Sequence, residues 1–211
     1  MNDCRICVAV TGASGSPYTL RLIEVLLAAD QNVDLIFSRA ALLVMATETE
    51  LQLPGKPQGQ ARALHHHFQV DAQRLRVFGR DDWMSPWASG SGQPGTLVIC
   101  PCSTGTLSAI AVGASDNLIE RAADVALKEG RKLILVPRES PYSEIHLSNM
   151  LTLKRMGATI LPASPGFYHQ PQSVQDLIDF VVARILNQLN IPQSLMPLWG
   201  VTYPPGEISG D

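Results

Sequence analysis

No stretch of this 211-residue sequence reaches the roughly 18 consecutive apolar residues that a membrane-spanning helix needs. No membrane partner is therefore expected. Positive charge is scarce as well: 16 Lys and Arg stand against 19 Asp and Glu, a net charge of −3. A general nucleic-acid binder carries a basic excess, so no nucleic-acid partner is expected either. The N-terminus, MNDCRICVAV, places Asp3 ahead of its apolar residues and turns straight into a strand, unlike a secretory signal. A cytoplasmic protein is the expectation. With 45% hydrophobic residues, the chain has enough apolar surface for one α/β domain with a two-sided core.

Cysteine is sparse too, at positions 4, 7, 100 and 102. Cys4-Arg-Ile-Cys7 has the two-residue gap of a zinc half-site, but Cys100-Pro-Cys102 is tighter than ordinary zinc knuckles. Reduced thiols at the ends of buried strands, and no metal, are the expectation. The run His65-His66-His67 cannot point three rings at one ion from a helix and reads as a solvated face.

Strand and helix signals alternate along the rest. Strands are expected at Ile6–Val10, Asn32–Phe37, Leu75–Phe78, Thr96–Pro101, Lys132–Pro137 and Thr159–Leu161. Helices are expected over Pro17–Ala29, Ala40–Glu48, the segment through His67, Thr104–Val112, Leu118–Glu129, Ser143–Met156 and Val174–Asn190. Such alternation with near-continuous apolar strands predicts an α/β fold of three layers, a mostly parallel sheet covered by helices on both faces. Residues 1–191 read as one domain and 192–211, with four prolines, as a tail. The loop 79–95, GRDDWMSPWASGSGQPG, is long and Trp-rich enough to serve as a lid or a subunit contact.

Ligands of such sheets sit beyond the carboxyl ends of the strands. The first such end, TGASGS (11–16), lacks what a dinucleotide loop requires. Gly12 and Gly15 are followed by Tyr18 rather than a third glycine. The second strand ends Ser38-Arg39, without the acid that holds a ribose, although Arg39 could accept a 2′-phosphate. No Tyr-x-x-x-Lys pair occurs, so a dehydrogenase is set aside. What remains is a helix start with Gly12, Ala13 and the hydroxyls of Ser14 and Ser16, joined by Ser38 from the next strand. Such a start favours an anion. Ser103-Thr104-Gly105-Thr106 repeats the arrangement after the Cys100 strand. N-capping alone explains each turn; both together suit one phosphorylated, ring-bearing ligand. Arg138 and Glu139 close a third apolar strand at the same edge. Arg121 and Lys128 share a helix face, either as solvated cations or as ligands. Arg184 falls on the apolar stripe of the last helix, which opens with the capping box Ser173–Asp176. It therefore calls for an anionic partner, a salt bridge or a substrate phosphate.

Taken in order, TGASG, the Ser38 strand end, ATETE (46–50), DWMSP with ASGSG, CPCSTGTLS, NLIERAADVALKE, LVPRE and GFYHQPQS strongly resemble the UbiX-type flavin prenyltransferases, formerly described as aromatic acid decarboxylases. The resemblance runs from Ile6 to about Trp199. It implies a Rossmann-like flavoprotein that attaches a dimethylallyl group to N5 and C6 of reduced FMN, without metal. The donor is dimethylallyl monophosphate, and the prenylated FMN product goes to a UbiD-type decarboxylase, in ubiquinone biosynthesis. By this similarity Gly12, Ala13, Ser14, Ser38, Ser103, Thr104, Gly105, Thr106, Arg121 and Arg138 contact FMN. Lys128, Arg138, Glu139, Tyr168 and Arg184 surround the donor phosphate, and Ser14, Glu48 and Glu139 serve the chemistry. A homododecamer is implied in the same way. Two alternatives stand beside this reading. An FMN-dependent cysteine decarboxylase carries a histidine after the second strand and a P-x-M-N-x-x-M segment, where this chain has Ser38 and Pro137-Arg138-Glu139-Ser140. A non-catalytic FMN carrier predicts flavin binding without prenyl transfer.

Overall fold

A computed structural model describes residues 5–92 and 95–197. The remainder of the expected tail, 198–211, and Cys4 lie outside the described residues. Six strands form one sheet: β1 (Ile6–Val10), β2 (Val33–Phe37), β3 (Leu75–Phe78), β4 (Thr96–Cys102), β5 (Leu133–Pro137) and β6 (Thr159–Ile160). Their order is β3-β2-β1-β4-β5-β6, and every pairing is parallel. The seven helices are α1 (Ser16–Ala28), α2 (Arg39–Glu48), α3 (Pro57–Phe68), α4 (Thr104–Ala111), α5 (Leu118–Lys128), α6 (Glu144–Arg155) and α7 (Val174–Leu189). Each lies within a few residues of its expected span. Two short 3-10 turns, Pro86–Ala88 and Gly90–Gly92, are all the helix that the long loop contains among its described residues.

Burial explains why the strands carry continuous apolar runs. Every residue of β1, β2 and β5 is buried. Alternate residues Cys7, Ala9, Leu97, Ile99, Leu133 and Leu135 turn to one face, where they pack with Leu107 and Ile110 of α4 and Leu118, Ala122 and Ala126 of α5. Burial pushes the thiols of Cys7, Cys100 and Cys102 well above their ordinary value, that of Cys102 to about 12, because a thiolate there would be desolvated. They act as small hydrophobes. His65 departs from the solvated face expected of it: its Nε2 lies 2.8 Å from the Leu75 carbonyl oxygen and fastens α3 to β3, while His66 and His67 are exposed.

Contacts divide the chain into two compact units, residues 1–164 and 165–211. The division falls ahead of the last helix. In the second unit α7 starts at the expected capping box: Ser173 Oγ accepts from Asp176 N, and Asp176 Oδ2 accepts from Ser173 N at 3.0 Å.

The sheet order reverses direction at β1. The chain runs outward from β1 to β2 and β3, then crosses back to build β4, β5 and β6 on the other side. The connections leaving the adjacent β1 and β4 diverge there and leave a crevice between them, the place where open α/β sheets take ligands. Gly12 belongs to this arrangement. A Cβ there would lie 2.5 Å from Ala40 Cβ, because the β1 turn presses on the first turn of α2. Gly12→Ala is expected to destabilise the fold by about 1–3 kcal/mol through overpacking. Adding Ala40→Gly should restore part of that loss in a denaturant-unfolding cycle, since the two sites share the contact.

Candidate functional site

The crevice is laced together by two threonines that the sequence reading passed over. Thr11 Oγ1 donates to the Pro101 carbonyl at 2.9 Å and accepts from Ser103 N at 2.7 Å. Thr19 Oγ1 donates to the Cys100 carbonyl at 2.7 Å. Both are buried. They fix the end of β1 and the start of α1 against the end of β4, so the turns 12–16 and 103–106 hold one geometry.

Three helix starts face this edge, and they are satisfied differently. Ser38 Oγ caps α2, accepting from Ala41 N at 3.1 Å. Ser103 Oγ caps α4, accepting from Thr106 N at 3.4 Å and bonding Thr106 Oγ1 at 3.1 Å. The α1 start has no side-chain cap from its own N-cap residue, Gly15, whose φ of 136° favours glycine. Its anion comes from elsewhere: Glu48 Oε2 at the end of α2 accepts from Gly15 N at 2.9 Å and Ser16 N at 2.8 Å. Burial alone would raise the Glu48 pKa. Hydrogen bonds from the Ser14 hydroxyl, the Gly15 and Ser16 backbone and the Ser16 hydroxyl outweigh it and hold the carboxyl below its ordinary value. The chain's own Glu48 carboxylate thus occupies the N–H groups of this turn.

Arg138 and Glu139 follow β5 into the same edge. Arg138 Nε donates to the Ser14 carbonyl at 3.3 Å, tying β5 to the α1 turn. Glu139 Oε2 accepts from Thr104 Oγ1 at 3.4 Å, and its Oε1 accepts from Ser140 N at 3.1 Å. Two phenols stand near this pair. Burial raises the Tyr18 pKa, with Cys100 adding to the shift and Arg138 opposing it. Burial likewise raises that of Tyr142, with Glu139 adding and Arg138 opposing. Tyr142 also meets the His146 ring edge-on at 6.4 Å. Neither tyrosine stood out in the sequence, where nothing marked its distance from Arg138. Gly12, Ala13, Ser14, Ser38, Glu48, Ser103, Thr104, Gly105, Thr106, Arg138 and Glu139 thus gather along the carboxyl ends of β1, β2, β4 and β5.

The other expected residues are placed differently. Lys128 closes α5 and pairs with Glu129. Because α5 runs back before β5, that end lies at the opposite edge of the sheet, away from the crevice of its own chain. Arg121 is committed to the long loop: Nε donates to the Ala88 carbonyl at 2.9 Å and Nη1 pairs with Asp124 at 2.7 Å. Tyr168 lies in the second unit, with its ring edge-on to Phe180 at 5.7 Å. Arg184 lies on α7, in the second unit. It is the exposed position between Phe180 and Leu186, where all its neighbours are buried, and it makes no ion pair among the described residues. Asn187, one turn further on, is exposed as well.

The long loop is anchored rather than loose. Trp87, buried, donates its indole N–H to Asp34 Oδ2 at 2.8 Å, and Arg131 Nη2 donates to the Gly90 carbonyl at 3.0 Å. Trp83 and Met84 remain exposed at its outer part. Among the described residues no three His, Cys, Asp or Glu side chains cluster as a metal site, and no helix is long and apolar enough to cross a membrane.

Known proteins with this arrangement are close in sequence. A family described as Flavoprotein matches residues 1–186. The flavin prenyltransferase UbiX of Pseudomonas aeruginosa is 62% identical over 196 residues, covering 93% of this chain and 94% of its own. That of Aquifex aeolicus is 43% identical over 198 residues, covering 92% and 98%. Among solved structures, AnUbiX (PadA1) in complex with FMN and dimethylallyl pyrophosphate superposes with a TM-score of 0.82 at 37% identity, over 93% of this chain and 97% of that one. A dodecameric FMN-dependent UbiX-like decarboxylase from Escherichia coli O157:H7 gives 0.81 at 37% identity, over 92% and 98%.

Proposed function

Because this chain belongs to the Flavoprotein family and, within it, to the UbiX flavin prenyltransferases, we propose that it transfers a dimethylallyl group from dimethylallyl monophosphate to N5 and C6 of reduced FMN, releasing phosphate and supplying prenylated FMN to a UbiD-type decarboxylase. The observation that carries this reading is the crevice at β1 and β4. It sets an ionised Glu48 on the α1 turn beside two hydroxyl-capped helix starts that remain available to a phosphate.

Reduced FMN supplies the nucleophilic N5 and C6. Its phosphate is assigned to Ser38 and to Ser103–Thr106, since Glu48 already fills the α1 N–H groups and would repel a second anion there. Glu48 and Ser14, joined by a hydrogen bond, form a proton path beside the flavin. Arg138 braces the Ser14 carbonyl and presents its remaining N–H groups to the leaving phosphate. Glu139, oriented by Thr104 and the Ser140 N–H, is the base that takes the C6 proton as the new ring closes. Cations stabilise the departing phosphate without a metal ion.

Lys128 and Arg121 stand away from their own chain's crevice, so in this reading they serve a neighbouring subunit of a homododecamer. Exposed Ile145, Leu147, Leu151 and Met156, on and just after α6, give such an assembly apolar surface to cover. Tyr168 and Arg184 are assigned to the donor phosphate on the family resemblance alone.

The test is anaerobic: purified protein, reduced FMN and either dimethylallyl monophosphate or the pyrophosphate, with the flavin product weighed by mass spectrometry. A gain of one C5H8 unit, faster with the monophosphate, is expected. Bound FMN of unchanged mass with both donors would overturn the reading and leave a flavin carrier.

A further inference from the structure

Charged side chains crowd where α5 meets the inner part of the long loop. Arg121 Nε donates to the Ala88 carbonyl, and its Nη1 pairs with Asp124. Arg131 Nη2 donates to the Gly90 carbonyl. Lys128 Nζ donates to Glu129 Oε1 beside them. Three cations thus stand against two carboxylates around residues 88–90.

Gly90 explains how Glu129 comes to lie there. A Cβ on Gly90 would overlap the Glu129 carboxyl and come within 2.6 Å of its Cδ. The missing side chain leaves a seat in which the carboxylate rests on the loop, next to Lys128. Both side chains stay partly open, 46% exposed for Lys128 and 36% for Glu129, so a ligand can still reach the ammonium. The Lys128 hydrogen bond and charge, with Arg131 adding, hold the Glu129 carboxyl below its ordinary value. It is therefore ionised at neutral pH. A carboxylate fixed beside a phosphate-binding ammonium weakens the field there and repels each further negative charge brought up to it. A phosphate monoester carries about −1.5 to −2 at pH 7, and a pyrophosphate ester roughly one charge more.

We propose that Glu129 is a specificity-determining residue, which makes the donor site favour a phosphate monoester over a pyrophosphate. The inference rests on the reading that Lys128 meets the donor phosphate in the crevice of a neighbouring subunit. A fully charged Lys128 would attract the pyrophosphate more strongly than the monophosphate, because attraction grows with the charge of the ligand. Glu129 removes much of that advantage, and Gly90 gives it the room to stay beside the ammonium.

Calorimetry tests this with dimethylallyl monophosphate and dimethylallyl pyrophosphate on protein loaded with oxidised FMN, so that no transfer consumes the donor. Glu129→Gln is expected to shift the ratio of the two dissociation constants toward the pyrophosphate by about threefold or more, the effect of one half-exposed charge. In turnover with reduced FMN, the ratio of the two KM values should move the same way. Glu129→Asp keeps the charge and should keep the wild-type preference. Glu120→Gln removes an equal charge from the first turn of α5, about 12 Å away along the helix, and should leave the ratio unchanged. An unchanged ratio in Glu129→Gln would overturn the proposal. So would an equal shift in Glu120→Gln, which would make overall charge the cause, or in Glu129→Asp, which would make side-chain length the cause. Failure of both donors to bind the wild type would overturn it too. If both donors bind but neither is transferred to reduced FMN, the prenyl-transfer reading fails, and the binding ratio still decides for or against Glu129.

Discussion

Glu48→Gln is expected to lower prenyl transfer by at least about a hundredfold, in the range typical for loss of a positioned proton-transfer group, while FMN still binds. The carboxylate sits 2.9 and 2.8 Å from the Gly15 and Ser16 N–H groups and bonds the Ser14 hydroxyl. Gln keeps an oxygen for the backbone N–H groups, so the α1 turn should keep its shape. It loses the charge and the ability to exchange a proton through Ser14. Measured as turnover of reduced FMN and dimethylallyl monophosphate against FMN affinity, the variant should separate the two. An equal loss of both would show that Glu48 only shapes the turn.

The pKa direction adds a second readout. Burial would raise the Glu48 pKa, but the hydrogen bonds it accepts in the turn hold it below the ordinary carboxylate value. The folded pKa thus lies below the unfolded one. The contribution of Glu48 to stability is complete above the unfolded pKa and disappears as pH falls through the folded one. Glu48→Gln should remove this acid-side dependence, and at neutral pH should cost about 0.3–1 kcal/mol for the lost charge at a helix N-terminus. Unfolding midpoints of the two proteins at acid and neutral pH check the sign.

Much of this arrangement was legible because it is local. The apolar runs of β1, β2 and β5 and the caps Ser38, Ser103 and Ser173 depend on short-range spacing, and each appears in the structure where the sequence places it. What depends on distant partners was not legible. The turn 12–16 announced an anion site, but that its anion is Glu48 follows from the register of α2 against α1, more than 30 residues away. Arg184 falls among the buried Phe180, Val181, Val182, Ala183, Ile185 and Leu186 yet is itself exposed, so an apolar neighbourhood along the helix did not imply burial of the cation. Lys128 shares a helix face with Arg121 by spacing. The direction of α5 puts it at the far edge, a matter of topology rather than spacing.

Asp34 carried a signal that was available: a lone carboxylate within the apolar strand VDLIF, where burial without partners would be prohibitive. Its partners come from three separate segments. It is fully buried and accepts from Arg5 Nε at 2.7 Å, from Arg76 Nε and Nη2 at 2.8 and 2.7 Å, and from Trp87 Nε1 at 2.8 Å. Asp34→Ala is expected to destabilise the chain by about 3–5 kcal/mol, because it removes the buried carboxylate that pairs with Arg5 Nε and Arg76. The side chain of Arg5 is only 8% exposed, whereas that of Arg76 is 40% exposed and can turn to water. The cost therefore falls on Arg5, and Asp34→Ala combined with Arg5→Met should recover much of it. Trp87→Phe removes one neutral donor from a carboxylate that keeps both arginines, and should cost about 1 kcal/mol. Denaturant midpoints at one fixed protein concentration test the ranking, since assembly would otherwise shift them. A Trp87→Phe loss as large as that of Asp34→Ala would mean that the loop anchor, rather than the buried charge, governs stability. The expected order instead makes Asp34 the point where the sheet holds the long loop, so that Trp87→Phe should loosen residues 79–92 to proteolysis while the sheet stays folded.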